Sequence, residues 1–359
     1  MKCFKTIVTP FFYFFNAKHN PMKQIVKIAG FLIAVIVLQH SVSGCEKKQS
    51  RNPDETEVYQ NPVVPKSLPD PTIIKAEDGW FYLYATEDIR NTPVHKSKDL
   101  VNWEFVGTAF TNETRPDFEP KGGLWAPDIN YIDGKYVLYY SMSVWGGEWT
   151  CGIGVATGDS PEGPFTDHGK LFRSNEIGVQ NSIDPFYIEE DGKHYLFWGS
   201  FRGIYAIELT SDGLSLKPGA EKQQIAGTAY EGVYIHKKDD WYYLFASIGS
   251  CCEGVNSTYT TVAGRSDKLF GPYKNKAGQS MMENHHEVII YGNDRFAGAG
   301  HNSEIVQDDA GNDWIFYHAV DKNNPKGRML MLDEVQWNSG WPFIEGSTPA
   351  KEWRKPGFK

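Results

Sequence analysis

Five times along this chain an acidic or amide residue, usually beside proline or glycine, opens a strand-like run that crosses a short turn into a second, aromatic-rich run. The recurrences are led by Asp70 (DPTIIKAEDGWFYLYAT), Asp128 (PDINYIDGKYVLYYS), Asp184 (DPFYIEEDGKHYLFWGS), Glu231 (EGVYIHKKDDWYYLFAS) and the HNSEIVQDDAGNDWIFYHA segment beginning at His301. Ten residues separate Asp70 from Trp80, Asp184 from His194 and Glu231 from Trp241, so one hairpin is reused. Asp-Gly turns at Asp78-Gly79, Asp133-Gly134 and Asp191-Gly192 lie between alternating apolar runs, the strongest local hairpin signal. Each hairpin is followed by a further pair of candidate strands, and no helix-length amphipathic stretch interrupts them.

About four strands per repeat, at roughly sixty residues each, is the grammar of an all-β protein built as a five-bladed β-propeller. The composition agrees, with 14% aromatic residues and 35 glycines. A β-sandwich also needs many short strands, but it gives no reason for an acidic residue at the start of each repeat. In a propeller the innermost strand of each blade runs along the central channel, so Asp70, Asp128, Asp184 and Glu231 meet at one mouth. Like charges crowded there raise one another's pKa. Two carboxyl groups facing one sugar, one protonated and one ionised, are what cleavage of a glycosidic bond requires.

The net charge of −9 excludes a basic stripe for nucleic acid. Ahead of the repeats, Lys23 and Lys27 precede an apolar stretch from Ile28 to Leu38, followed by Val42-Ser43-Gly44-Cys45. The pattern reads as a lipoprotein signal over 22–44 with Cys45 as the lipidated residue, preceded by an upstream extension, 1–21. Residues 45–58 are charged and apolar-poor, a flexible tether, and 59–359 form the catalytic domain. The domain is therefore expected outside the cytoplasm, held to a bacterial membrane by lipid alone. Cys151, Cys251 and Cys252 are too few and too odd for a disulfide framework; one bridge is possible and none is required. The adjacent pair lacks zinc-site spacing and reads as loop-shaping.

The motifs Asp70-Pro71, Ile183-Asp184-Pro185 and Glu231-Gly232 resemble those of glycoside hydrolase family 43, the five-bladed arabinanases, arabinofuranosidases and xylosidases. The likeness covers nearly all of 59–345. It implies Asp70 as the base that activates water, Glu231 as the acid that protonates the leaving group, and Asp184 as the residue that orients Glu231 and keeps its pKa high. Trp125-Ala126-Pro127-Asp128 is a further family hallmark. There Trp125 is a sugar platform or ordinary core, and Asp128 is structural or stands one layer behind the substrate.

Gly249 to Ser266 (GSCCEGVNSTYTTVAGRS), Asn181-Ser182-Ile183-Asp184-Pro185 and Gly300-His301-Asn302-Ser303 resemble the endo-arabinanase branch. The branch implies inverting, endo-acting hydrolysis of α-1,5-linked arabinan, substrate contact at Asn181, and a calcium ion in the central channel faced by His301 and held largely by water. Two departures favour an exo-acting arabinofuranosidase or β-xylosidase instead. The first blade reads Leu68-Pro69-Asp70-Pro71 where arabinanases read His-Asp-Pro, and Arg202 stands where they carry tryptophan. A non-catalytic glycan-binding propeller is the reading from another class, and the complete set of three carboxylates argues against it.

Overall fold

At Asp133 and Gly134 the backbone has φ of 46° and 82°, and at Asp191 and Gly192 it has φ of 53° and 69°. Positive φ at both central residues is what a two-residue hairpin turn of matching twist demands, and Asp-Gly meets the demand at little cost. The computed structural model that contains these hairpins describes residues 57–358. The upstream extension, the signal, Cys45 and most of the tether lie outside the described residues. Val58, the last residue of the expected tether, is already the first of a strand, Val58–Gln60, paired with Glu352–Arg354.

The chain is all-β, as expected, with a single four-residue α-helix, Ser174–Ile177, among the described residues. The strands fall into five successive antiparallel meanders. The first runs through Thr72–Lys75, Phe81–Tyr84, Pro93–Ser97 and Glu104–Thr108. The second is Gly123–Ile132, Lys135–Ser143, Gly152–Gly158 and Thr166–Arg173. The third is Phe186–Glu190, Lys193–Trp198, Ile204–Glu208 and Gln223–Ala226. Glu231–Lys238, Trp241–Ile248, Thr260–Ser266 and Glu287–Ile290 form the fourth. The fifth is Ile305–Gln307, Asp313–Asp321, Met329–Asn338 and Trp341–Phe343. Phe296–Gly300 bridges the fourth and fifth, and Val64–Ser67, from before the first meander, pairs with Met329–Asn338.

Every residue of Phe81–Tyr84 and of Asp313–Asp321 is buried, so these strands have a packed neighbour on both faces. Aromatic rings fill the gaps between meanders. Tyr139 stacks on Tyr187 at 5.7 Å between the second and third, and Phe186 meets Tyr234 edge-on at 5.3 Å between the third and fourth. His236 stacks on Trp337 at 5.8 Å between the fourth and fifth, and Trp103 meets Phe316 at 5.5 Å between the first and fifth.

Hydrogen bonds tie each meander to the next and the last back to the first. Ile129 N–H donates to Thr72 Oγ1 (3.2 Å), Tyr187 N–H to Asp128 Oδ2 (2.8 Å), and Gly232 N–H to Asp184 Oδ2 (3.2 Å). Ile305 N–H donates to Tyr234 OH (3.0 Å) and Ile73 N–H to Glu304 Oε2 (2.7 Å). Asp128 and Glu304 are clamps in this series, and burial together with the Glu304 charge pushes the Asp128 carboxyl well above the usual range.

Candidate active site

Just before or within the first strand of every meander the backbone turns left-handed: Asp70 (φ 54°), Ala126 (40°), Asp184 (61°), Gly232 (61°) and His301 (50°). For a residue with a Cβ this conformation costs roughly 1–2 kcal/mol, so its recurrence at one place in the repeat is a constraint and not an accident. Register breaks between Trp125 and Asp128 and between Glu231 and Tyr234 belong to the same device, because bulges re-aim side chains beside functional sites. Gly232 allows close approach as well, since a Cβ there would lie 3.1 Å from His301 Nδ1. Asp70, Trp125, Asn181, Asp184, Glu231 and His301 all line one cleft of about 790 Å³. Asp128 is not among its lining residues.

Asp70 is only 7% exposed, and a buried carboxylate needs partners. Arg328 Nη1 donates to its Oδ1 at 2.9 Å and Thr86 Oγ1 to its Oδ2 at 2.6 Å, while Thr86 Oγ1 itself accepts Ala126 N–H at 2.7 Å. Burial works to raise the Asp70 pKa, but the Arg328 guanidinium, foremost among its partners, outweighs it, and the carboxyl sits well below the usual range. Of these partners Arg328 carries the charge. Burial pushes His318 down to about 4, and its Nδ1 accepts the Asp70 N–H at 3.2 Å, so that ring is neutral.

Glu231 is in the opposite state. Burial pushes its carboxyl up to about 7, the nearby Asp70 charge adds to the rise, and hydrogen bonds from Ser200 and Tyr259 oppose it. Ser200 Oγ donates to Glu231 Oε2 at 2.6 Å, and Asn181 Nδ2 donates to Ser200 Oγ at 2.8 Å. Burial and the charges of Glu231 and Asp70 also hold Asp184 well above the usual range. Its Oδ2 accepts the N–H of Gly232, so Asp184 grips the backbone next to the acid, while Ser200 and Tyr259 fix the carboxyl itself. The cleft thus pairs an ionised carboxylate with a buried acid that keeps its proton near neutrality. Two carboxyls whose environments drive their pKa values apart are the signature of a base and an acid.

Trp125 is partly exposed and lines the cleft, which separates it from ordinary core. His301 Nδ1 lies 3.3 Å from Asp70 Oδ1, and burial lowers the ring's pKa. Among the described residues no three His, Cys, Asp or Glu side chains form a metal cage. Calcium takes oxygen ligands, so a lone imidazole nitrogen does not by its own chemistry mark a site for that ion. Arg202 lies on the rim, where its Nη2 donates to Glu148 Oε2 at 2.8 Å.

Sequence reasoning missed Arg328, which lies outside the motifs, and the roles of Thr86 and Ser200, which close the first and third recurrent runs, and of Tyr259, which lies within Gly249–Ser266. It also missed Trp145, 84% exposed at the cleft. Cys251 and Cys252 are disulfide-bonded to each other and line the cleft, so the bridge that spacing left optional is present.

The model of the family described as Glycosyl hydrolases family 43 matches residues 59–342. The extracellular endo-α-(1→5)-L-arabinanase 1 of Bacillus subtilis is 37% identical over 289 residues, covering 77% of this chain and 87% of that protein. The extracellular exo-α-(1→5)-L-arabinofuranosidase ArbA of Cellvibrio japonicus is 33% identical over 306 residues, covering 77% and 86%. Among solved structures, the Cellvibrio cellulosa α-L-arabinanase complexed with arabinohexaose superposes with a TM-score of 0.71 at 32% identity, covering 77% of this chain and 95% of that one.

Proposed function

Since the chain belongs to glycosyl hydrolases family 43, and is therefore a glycoside hydrolase, we propose that it hydrolyses α-1,5-linked L-arabinofuranosyl bonds of arabinan with inversion, cutting within the polymer. The observation that carries the reading is the opposed ionisation of Asp70 and Glu231 in one cleft. Asp70, ionised against Arg328, takes a proton from a water molecule as that water attacks the anomeric carbon. Glu231 gives its proton to the departing glycosidic oxygen. Asp184 holds the backbone of the acid through the Gly232 N–H, while burial and the Asp70 charge favour the protonated form of Glu231. Trp125 offers the sugar an apolar face. The five meanders, tied in sequence and back to the first, support the five-bladed propeller that brings these residues to one mouth.

Product chromatography on linear arabinan tests the reading. A ladder of oligosaccharides is expected, with xylan untouched, and the first-formed reducing end should be the β anomer by NMR. Release of arabinose alone would replace the endo reading with the exo one. No release from arabinan would overturn the substrate assignment.

Calcium held by water and His301 belongs to the same proposal; when bound, it would add positive charge beside Asp70. An extracytoplasmic site of action, with Cys45 as a lipid anchor, completes it, in keeping with relatives described as extracellular. On one preparation, elemental analysis before and after chelation should find and then lose calcium. Cys45→Ala protein should leave the membrane fraction. A metal-free native protein, or an unchanged membrane fraction, would remove the respective element.

A further inference from the structure

The loop that carries Cys251 and Cys252 is fixed at both ends to the acid. It leaves the strand Trp241–Ile248, whose Ser247 pairs with Glu231, and it returns at Tyr259, whose hydroxyl bonds the Glu231 carboxyl. Its neck is narrow. Ser250 N–H donates to Thr258 Oγ1 at 3.1 Å, Ser257 Oγ donates to the Ser250 carbonyl, and a Cβ on Gly249 would lie 2.6 Å from the Thr258 carbonyl oxygen. The tip beyond this neck reaches the cleft, with Cys251 partly exposed and Cys252 exposed.

Joining two adjacent cysteines closes a small ring through one peptide bond. It replaces two thiols with a patch of polarisable sulfur and methylene that donates no hydrogen bond and has lost its rotamer freedom. Around it the cleft presents the carboxyls of Asp70, Asp184, Glu231 and Glu148. Such groups serve sugar hydroxyls and the reaction, whereas the C–H face of a sugar ring needs an apolar counterpart. Glu231 delivers its proton to the leaving oxygen, so the sugar bonded to that oxygen lies on the side of the cleft from which this loop rises.

We infer that the Cys251–Cys252 disulfide is a sugar-binding surface for the departing arabinofuranosyl unit, packing against its C–H face. This rests on the arabinan reading and adds to it the residues that grip the leaving side. The disulfide is a binding element and takes no part in the proton transfers.

The test compares native protein, the Cys251→Ser/Cys252→Ser double variant, and native protein treated with a phosphine, which is oxidised to its oxide as the disulfide becomes two thiols. With arabino-oligosaccharides, KM is expected to rise about fivefold or more in both altered forms, with kcat changed less than about twofold and the alkaline limb of the pH profile unmoved. The reduced wild type keeps the assay decisive if the double variant folds poorly. An unchanged KM would overturn the inference. So would a fall in kcat with a shifted alkaline limb at constant KM, which would mean the loop only positions Tyr259 against Glu231. Alkylation of Cys251 or Cys252 in unreduced native protein, read by mass spectrometry, would overturn it too. A wild type that leaves arabinan intact would sink the substrate reading itself, an outcome distinct from all of these.

Discussion

Glu231→Gln is expected to lower kcat on arabinan by about a hundred- to ten-thousandfold, the range over which general acids contribute, while leaving the fold in place. The substitution keeps the side chain's size, and an amide can still accept the Ser200 hydroxyl at the position of Oε2. What it removes is the transferable proton. A sugar alkoxide leaves badly without protonation, whereas a nitrophenolate needs little help. An aryl arabinofuranoside should therefore lose much less rate in the variant than arabinan does, and equal losses on both would take the acid role away from Glu231. The wild-type pH profile gives a second check. The acid must hold its proton to act, and burial sets its pKa at about 7, so kcat/KM should decline about tenfold per pH unit above that value. In Glu231→Gln this alkaline limb should vanish.

The three carboxylates could be read from the sequence because the repeat sets a register, and in a ring of like units the register converts equal sequence positions into neighbours in space. The hairpins were readable for a related reason: Asp-Gly turns act locally, and local chemistry fixes them. What the register could not convey is which residue neutralises which. Arg328 lies in a stretch with no motif and reaches Asp70 from 258 positions away. Ser200 closes the third recurrent run as Thr86 closes the first, and Tyr259 lies in the Gly249–Ser266 segment, yet neither position says which carboxyl it will meet. The sequence aligns Asp128 with Asp70, but the left-handed residue of its repeat is Ala126, two positions earlier. Asp128 accepts the Tyr187 N–H from the next meander, as Thr72 accepts the Ile129 N–H, instead of entering the cleft. Glu304, three residues after the start of the fifth repeat, was legible as an acid. Its work as the clamp on Thr72 and Ile73 was not, because that role depends on the last meander returning to the first. Position in the repeat thus decided where a carboxyl stands, and long-range partners decided whether it would be ionised.

Asp70→Asn is expected to reduce kcat by a comparable factor through the other half of the reaction. Here an aryl leaving group should bring no rescue, because the missing function is activation of the attacking water and not departure of the sugar. Azide needs no base to become a nucleophile. It should restore turnover in Asp70→Asn but not in the wild type, and the product from an α-linked substrate should be the β-arabinofuranosyl azide if attack comes from the face that Asp70 serves. An α azide, or no azide product at any concentration, would remove Asp70 from the role of base. The variant should also lose some stability, because Arg328 would keep its positive charge beside a neutral amide. Breaking a well-buried pair in this way costs about 3–5 kcal/mol, and Arg328, with its side chain still 19% exposed, should lie below that range. Asp70→Asn/Arg328→Gln removes both charges, so it should recover part of the lost thermal stability while recovering none of the rate. That split would assign the lost stability to the uncompensated Arg328 charge and the lost rate to the missing carboxylate.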